Sequence, residues 1–330
     1  MNTPISLTYK RLCSITFFTM GLLQSWACDF IEPEGADTKF WEEAVSPGDI
    51  GYERVENWLK LPDDVLHPTG SDVAIDSQGR IYIADRGNPG PASIIVVNND
   101  GEFLDQWKTE GLLIPHMICC DSNDNIWVTD QGTHQIYKLN DQGEIIFRLG
   151  EKGVSGSGQH TFDKPTDVEF FADGSCLVAD GYGVNKRILK YDADFNFLAQ
   201  WGATKSDEPG QFAVPHDVLI GSDGLVYVSD RDAWRVQVFN ADGKLLKLWP
   251  HIGQVFDLAE SSDHNFYFLD GNTGQLTGVD KDGKMIGFIR SPDLKRGHGM
   301  AITSEDDLIL AIKDGRIEKY RRSDTTQRQK

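Results

Sequence analysis

Residues 214–239 read VPHDVLIGSDGLVYVSDRDAWRVQVF, and residues 115–139 read PHMICCDSNDNIWVTDQGTHQIYKL. Both run Pro-His, a short apolar stretch, a polar turn, an alternating β-branched and aromatic run ending in Asp, and then a further strand. Such runs, bounded by Gly, Asn, Asp and Ser, are the signature of half-buried β-strands joined by tight turns. The unit recurs as DSQGRIYIAD ending at Asp85, DSNDNIWVTD at Asp130, FADGSCLVAD at Asp180, GSDGLVYVSD at Asp230 and SSDHNFYFLD at Asp270, with SEDDLILAI as a last, weaker copy. A second strand and turn follow each: SIIVVNNDGE, QIYKLNDQGE, RILKYDADFN, RVQVFNADGK, QLTGVDKDGK and RIEKYRRSD. About four strands per repeat of roughly 40 to 50 residues is the period of a propeller blade. The predicted fold is therefore all-β, a six-bladed β-propeller spanning residues 55–322. VENWLKLP, before the first unit, resembles the closing strands FLDQWK, FLAQWG and LLKLWP and is expected to complete the last blade.

Aligning the units on their turns places one slot of each where the innermost strand leaves the face near the axis. Its occupants are Ser71, His116, Thr166, His216, Val255 and His298. Histidine takes every second blade. Alternate blades of a six-fold ring are related by 120°, so three side chains projecting from this slot meet on the axis. Three imidazoles with a fourth position open is the form of a catalytic zinc site. The competing reading is a set of polar residues lining a propeller channel. His67, His134, His160, His251 and His264 fall on turns or other strand positions and are expected at the surface or in caps.

The chain is acidic, with 51 Asp and Glu against 32 Lys and Arg and a net charge of −19. Such a chain repels phosphate and offers no basic stripe, so nucleic acid is not an expected partner. At the N-terminus, Lys10 and Arg11 precede LCSITFFTMGLLQSWAC, an apolar run suited to a signal-peptide core rather than a membrane span. Residues 1–28 are read as an export signal, either of lipoprotein type with Cys28 acylated or cleaved at an A-x-A-like site. The protein is then expected to be periplasmic, secreted or lipid-anchored, touching membrane only through Cys28. Residues 29–54 are acidic and aperiodic, as a tether would be, and residues 323–330 form a polar tail. Cys119, Cys120 and Cys176 remain in the body, an odd number in apolar strand patterns, read as free thiols.

IPHMICCDSNDNIWVTDQGTHQIYKL, FDKPTDVEFFADGSCLVADGYGVNKRILKY, AQWG followed by PGQFAVPHDV, and SDRDAWRVQVF together resemble the peptidyl-α-hydroxyglycine α-amidating lyase family, six-bladed propellers of NHL type. The likeness covers residues 65–320. It implies a zinc lyase that cleaves the C–N bond of a C-terminal α-hydroxyglycine, giving a peptide amide and glyoxylate. It also implies that His116, His216 and His298 hold the zinc, that Tyr182 is catalytic, and that Arg86 and Arg231 serve the carboxylate. On the residues alone, Tyr182 could equally be a rim aromatic, and Arg86 and Arg231 could pair with Asp85 and Asp230. Gly299 stands where the family has an Asp that serves a structural calcium, and Gly183 where it has a disulfide cysteine. No copper monooxygenase half lies in the 330 residues, so the hydroxyglycine is expected from elsewhere. Two other classes stay open: a metal-dependent hydrolase or lactonase on the same fold, and a non-catalytic propeller scaffold.

Overall fold

In the computed structural model the described residues are 50–65, 67–87 and 90–323. The expected export signal, Cys28, nearly all of the tether and most of the polar tail lie outside them. The rest folds into six four-stranded antiparallel sheets. Strands Gly70–Ile75, Ile81–Asp85, Ser93–Val97 and Phe103–Trp107 build blade 1, and blades 2 to 5 repeat the plan to Arg290. Inner strands touch their neighbours from blade 1 round to blade 6 and back. Two 3₁₀ turns, Arg231–Ala233 and Pro292–Leu294, are the helical elements among the described residues.

The core lies between blades. Ala84, Ile94 and Val96 of blade 1 meet Ile118, Val128 and Tyr137 of blade 2, and Leu177, Ala179 and Ile188 of blade 3 meet Val218, Val226 and Val228 of blade 4. The middle strands of each blade are covered on both faces, which explains their nearly unbroken apolar sequence. Outer strands alternate, with Leu104, Ile146, Leu198, Leu246 and Ile286 facing solvent at matching positions.

Blade 6 joins the two ends of the described chain. Gly297–Ile302, Leu308–Ile312 and Arg316–Arg322 are followed across the sheet by Tyr52–Val55, antiparallel to Arg316–Arg322. The closing strand is thus YERV, which begins inside the segment read as tether, and not VENWLKLP. The latter fails as a strand because its aromatic anchor is used elsewhere. Trp58 packs between blades 6 and 1 and donates from Nε1 to the Asn99 carbonyl at 3.0 Å.

The blade 5 slot also needs correcting. The turn after each inner strand has one residue at positive φ: Gly79, Asp124, Gly174, Gly224, His264 and Asp306. A histidine there hides the register, because His264 and not Asp263 is the counterpart of the glycines. Counting back eight residues from His264 gives Phe256, not Val255. Cys119, Cys120 and Cys176 are free, Cys176 fully buried and the other two partly so.

Candidate active site

The site sits where inner strands begin and second strands end. The Asp closing each second strand ties these two chain segments together. Asp230 Oδ1 accepts the N–H groups of Ala213 and Val214 at 2.8 and 3.0 Å. Asp130 accepts those of Leu113 and Ile114, Asp180 that of Asp163, and Asp85 that of Thr69. A buried carboxylate accepting backbone N–H groups fixes a loop better than apolar contact, since each lost bond strands a buried charge. The recurring Asp is therefore the clamp that sets the slot two or three residues later.

His116, His216 and His298 occupy that slot at 0% exposure. Each ring binds the next strand in the same way: Nδ1 lies 2.7 Å from the Thr166 carbonyl, 2.6 Å from that of Phe256 and 2.6 Å from that of Ser71, respectively. This symmetry confirms Phe256 as the blade 5 counterpart. A carbonyl can only accept, so each Nδ1 carries the hydrogen and each Nε2 presents its lone pair. The three rings meet in T-shaped contacts with centroids 4.7 to 4.9 Å apart. One ligand nitrogen from each lies within 4.8 Å of the other two. Nε2 of His116 and of His298 is buried without a partner, whereas Nε2 of His216 receives the Tyr182 hydroxyl at 2.8 Å. Burial drives all three imidazoles well below their ordinary pKa, with the nearby charges of Arg86 on His116, Arg231 on His216 and Lys313 on His298 adding to it. Neutral nitrogen donors with tautomers fixed by carbonyls, two of them orphaned, fit a divalent metal of zinc type.

Above the histidines runs a ring of residues that follow the second strands. Its members share one backbone bond to the residue two before the slot: Arg86 to Thr69, Gln131 to Ile114, Tyr182 to Lys164, Arg231 to Val214 and Lys313 to Arg296. The three residues implied by the resemblance all belong to it. Arg231 donates from Nη1 to the Tyr182 oxygen at 2.6 Å and from Nε to Asp232 at 2.9 Å. Its guanidinium lies 5.1 Å from the ring centroids of both Tyr182 and Phe256. Asp230 binds Arg235 instead, and Asp85 binds backbone and Ser93, so neither arginine is consumed by the Asp before it. Nε and Nη2 of Arg86 are buried without partners, and burial lowers its pKa. Gln131 and Lys313 escaped the sequence reading. The signal was available, as the residue after the strand-ending Asp or its Ile312 counterpart, but only a comparison by position and not by residue type would find them.

Beneath the histidines, Asp72, Asp167, Asp217 and Asp257 are buried one residue further along four inner strands. Asp72 lies near Asp257 and Asp167 near Asp217, with Asp72 Oδ1 and Asp217 Oδ2 left without partners. Burial raises all four carboxyls, Asp167 to about 7 and Asp257 to about 8. The room beside Gly299 is filled by Asp72, since a Cβ there would meet the Asp72 Cα and Oδ1 at 2.3 Å each. Calcium takes about 6 to 8 gathered oxygens. Among the described residues only the histidines bring three ligand atoms within 4.8 Å, so these carboxylates form no ready calcium cage.

No protein-family model matches the chain. The Caenorhabditis elegans protein named "Probable peptidyl-alpha-hydroxyglycine alpha-amidating lyase pgal-1" is 33% identical over 275 residues, which is 74% of this chain and 77% of the relative. The chain belongs to the peptidyl-α-hydroxyglycine α-amidating lyase family. As a member of the amidating lyase family it is an enzyme, a lyase. The mouse peptidyl-glycine alpha-amidating monooxygenase is 32% identical over 260 residues, and this lyase-family chain spans only 25% of its length. Human NHL repeat-containing protein 3 is 34% identical over 212 residues, 61% of the chain and 60% of the relative. Among solved structures, a streptogramin B lyase superposes with a TM-score of 0.57 at 15% identity, covering 82% of the chain and 86% of that structure. The nidogen/laminin complex contains a chain that superposes at 0.58 and 18%, covering 75% and 86%. At those identities the likeness is one of fold. No helix among the described residues of this amidating lyase relative is long and apolar enough to cross a membrane.

Proposed function

We propose that the protein is a zinc-dependent lyase that splits peptides ending in α-hydroxyglycine into the peptide amide and glyoxylate. The observation that carries this reading is the convergence of three neutral imidazoles beside the Tyr182–Arg231 pair. Zinc held by His116, His216 and His298 would supply Lewis acidity to the substrate hydroxyl. Tyr182 is assigned to remove the hydroxyl proton. Arg231, bonded to the Tyr182 oxygen, stabilises the negative charge that oxygen must carry to act as a base. As the O–H proton leaves, the C–O pair closes to the aldehyde of glyoxylate and the C–N bond breaks. The electron pair goes to nitrogen, which takes up the proton that Tyr182 removed and leaves as the primary amide. Arg86, with two unused donors, is assigned to the substrate carboxylate.

The apolar run after Lys10 and Arg11 supports export, with the mature chain beginning at or near Cys28. On that reading residues 1–28 are the signal, the acidic stretch after them is the tether, and the propeller works outside the cytoplasm on a small or peptide substrate with a C-terminal carboxylate. Incubating the purified protein with a peptide ending in α-hydroxyglycine should release glyoxylate in step with metal content. His216→Ala should abolish both. A protein that binds no stoichiometric metal refutes the zinc-lyase reading.

A further inference from the structure

We propose that Gln131 and Lys313 complete, with Arg86, a carboxylate-binding arc over one side of the histidine centre. The proposal deepens the lyase reading and rests on it for the identity of the substrate. Blades 6, 1 and 2 are consecutive around the ring, and their members of the upper ring are Lys313, Arg86 and Gln131. All three are held in register by the same backbone bond, to Arg296, Thr69 and Ile114 at 3.1, 3.2 and 3.0 Å. The arc carries buried donors without acceptors: Arg86 Nε, Arg86 Nη2 and Gln131 Nε2. A buried unmet donor is costly, more so when charged, so three on one arc call for an anionic or carbonyl-bearing ligand. Half-buried Lys313 lies close enough for its charge to act on all three histidines, alongside Arg86 on His116 and His298.

The facing arc has a different composition. Blades 3 and 4 contribute Tyr182 and Arg231, which bond to each other, and Tyr182 bonds in turn to His216. A substrate carrying a hydroxyl and a carboxylate on one carbon therefore finds a proton acceptor on one side of the histidine nitrogens and an arc with unmet donors on the other. The carboxylate belongs on the arc of Lys313, Arg86 and Gln131, which aims the hydroxyl at Tyr182.

The test compares wild type with Lys313→Met, Gln131→Leu and Lys313→Arg, each zinc-loaded. With a peptide ending in α-hydroxyglycine, Lys313→Met and Gln131→Leu should raise KM roughly 10- to 100-fold and change kcat far less, the range for losing a hydrogen bond to a charged group. Lys313→Arg should restore most of the loss, and metal content should be the same in all four proteins. With the methyl ester of the same peptide, which keeps a carbonyl but no charge, Lys313→Met should raise KM far less than with the acid, and an equal rise with acid and ester overturns the role of its charge. Calorimetric titration with glycolate provides the readout independent of turnover, and both uncharged variants should bind it roughly 10-fold or more weakly. Unchanged KM and unchanged glycolate affinity in both overturn the arc while leaving the lyase reading intact. A wild type that releases no glyoxylate yet binds glycolate through Lys313 and Gln131 sinks the lyase reading and leaves the arc. Failure of the wild type to bind glycolate overturns the arc.

Discussion

Tyr182→Phe should push two measurements in opposite directions. The Tyr182 hydroxyl donates to His216 Nε2 at 2.8 Å, and that nitrogen is one of the three a metal needs. Metal entry must break this bond. A neutral hydrogen bond contributes about 0.5–1.5 kcal/mol, so removing the hydroxyl should raise metal affinity about 2- to 10-fold. The same oxygen is the assigned base, whose loss should cost about 10²- to 10⁴-fold in kcat. Arg231 keeps Asp232 and two aromatic faces, which limits collateral damage. Affinity is read by competition with a chromogenic chelator, and kcat by glyoxylate release at saturating metal. Simple misfolding would lower both quantities. Weaker metal binding in the variant, or a rate within about threefold of wild type, refutes the assignment of Tyr182.

Acidification gives a second check. Three ordinary imidazoles with pKa about 6.5 would lose about 10³-fold in metal affinity between pH 7.5 and 5.5. Burial lowers the pKa of His116, His216 and His298, so the neutral form persists as pH falls below 6.5 and chelator competition should record a clearly smaller loss than that. Gly299→Asp should destabilise the fold by about 1–3 kcal/mol in urea titration, because Asp72 fills the space. Adding Asp72→Gly should recover most of that loss, and a purely additive double variant contradicts the crowding. Mass spectrometry of the mature protein should find a chain starting at or near Cys28, and a chain retaining residues 1–24 contradicts export.

The blades were legible because each strand run and its polar turn are local and repeat. His116, His216 and His298 were legible for the same reason, since one register position recurs on alternate blades. What the sequence hid was set by contacts between distant residues. YERV becomes a strand only by pairing with Arg316–Arg322, and nothing within it marks a blade. The Phe256 register was masked by a histidine in a left-handed turn. Gln131 and Lys313 share a ring with Tyr182 through backbone bonds, and differing side chains conceal a common place. The anchoring of each Nδ1 on the next strand's carbonyl leaves no trace in either segment alone.

One of those anchors crosses the join of the ring. His298 Nδ1 holds the Ser71 carbonyl across 227 residues, at the boundary between blade 6, where the chain ends meet, and blade 1. The third histidine of the cluster therefore belongs to the blade that closes the ring, while the other two lie in blades with no such seam. A metal shared by all three would act as a rivet through the closure, seated fully only in a shut ring and opposing the parting of blade 6 from blade 1. Loss of such an ion and opening of the ring would then be one linked event, and metal occupancy would report whether the propeller has been completed.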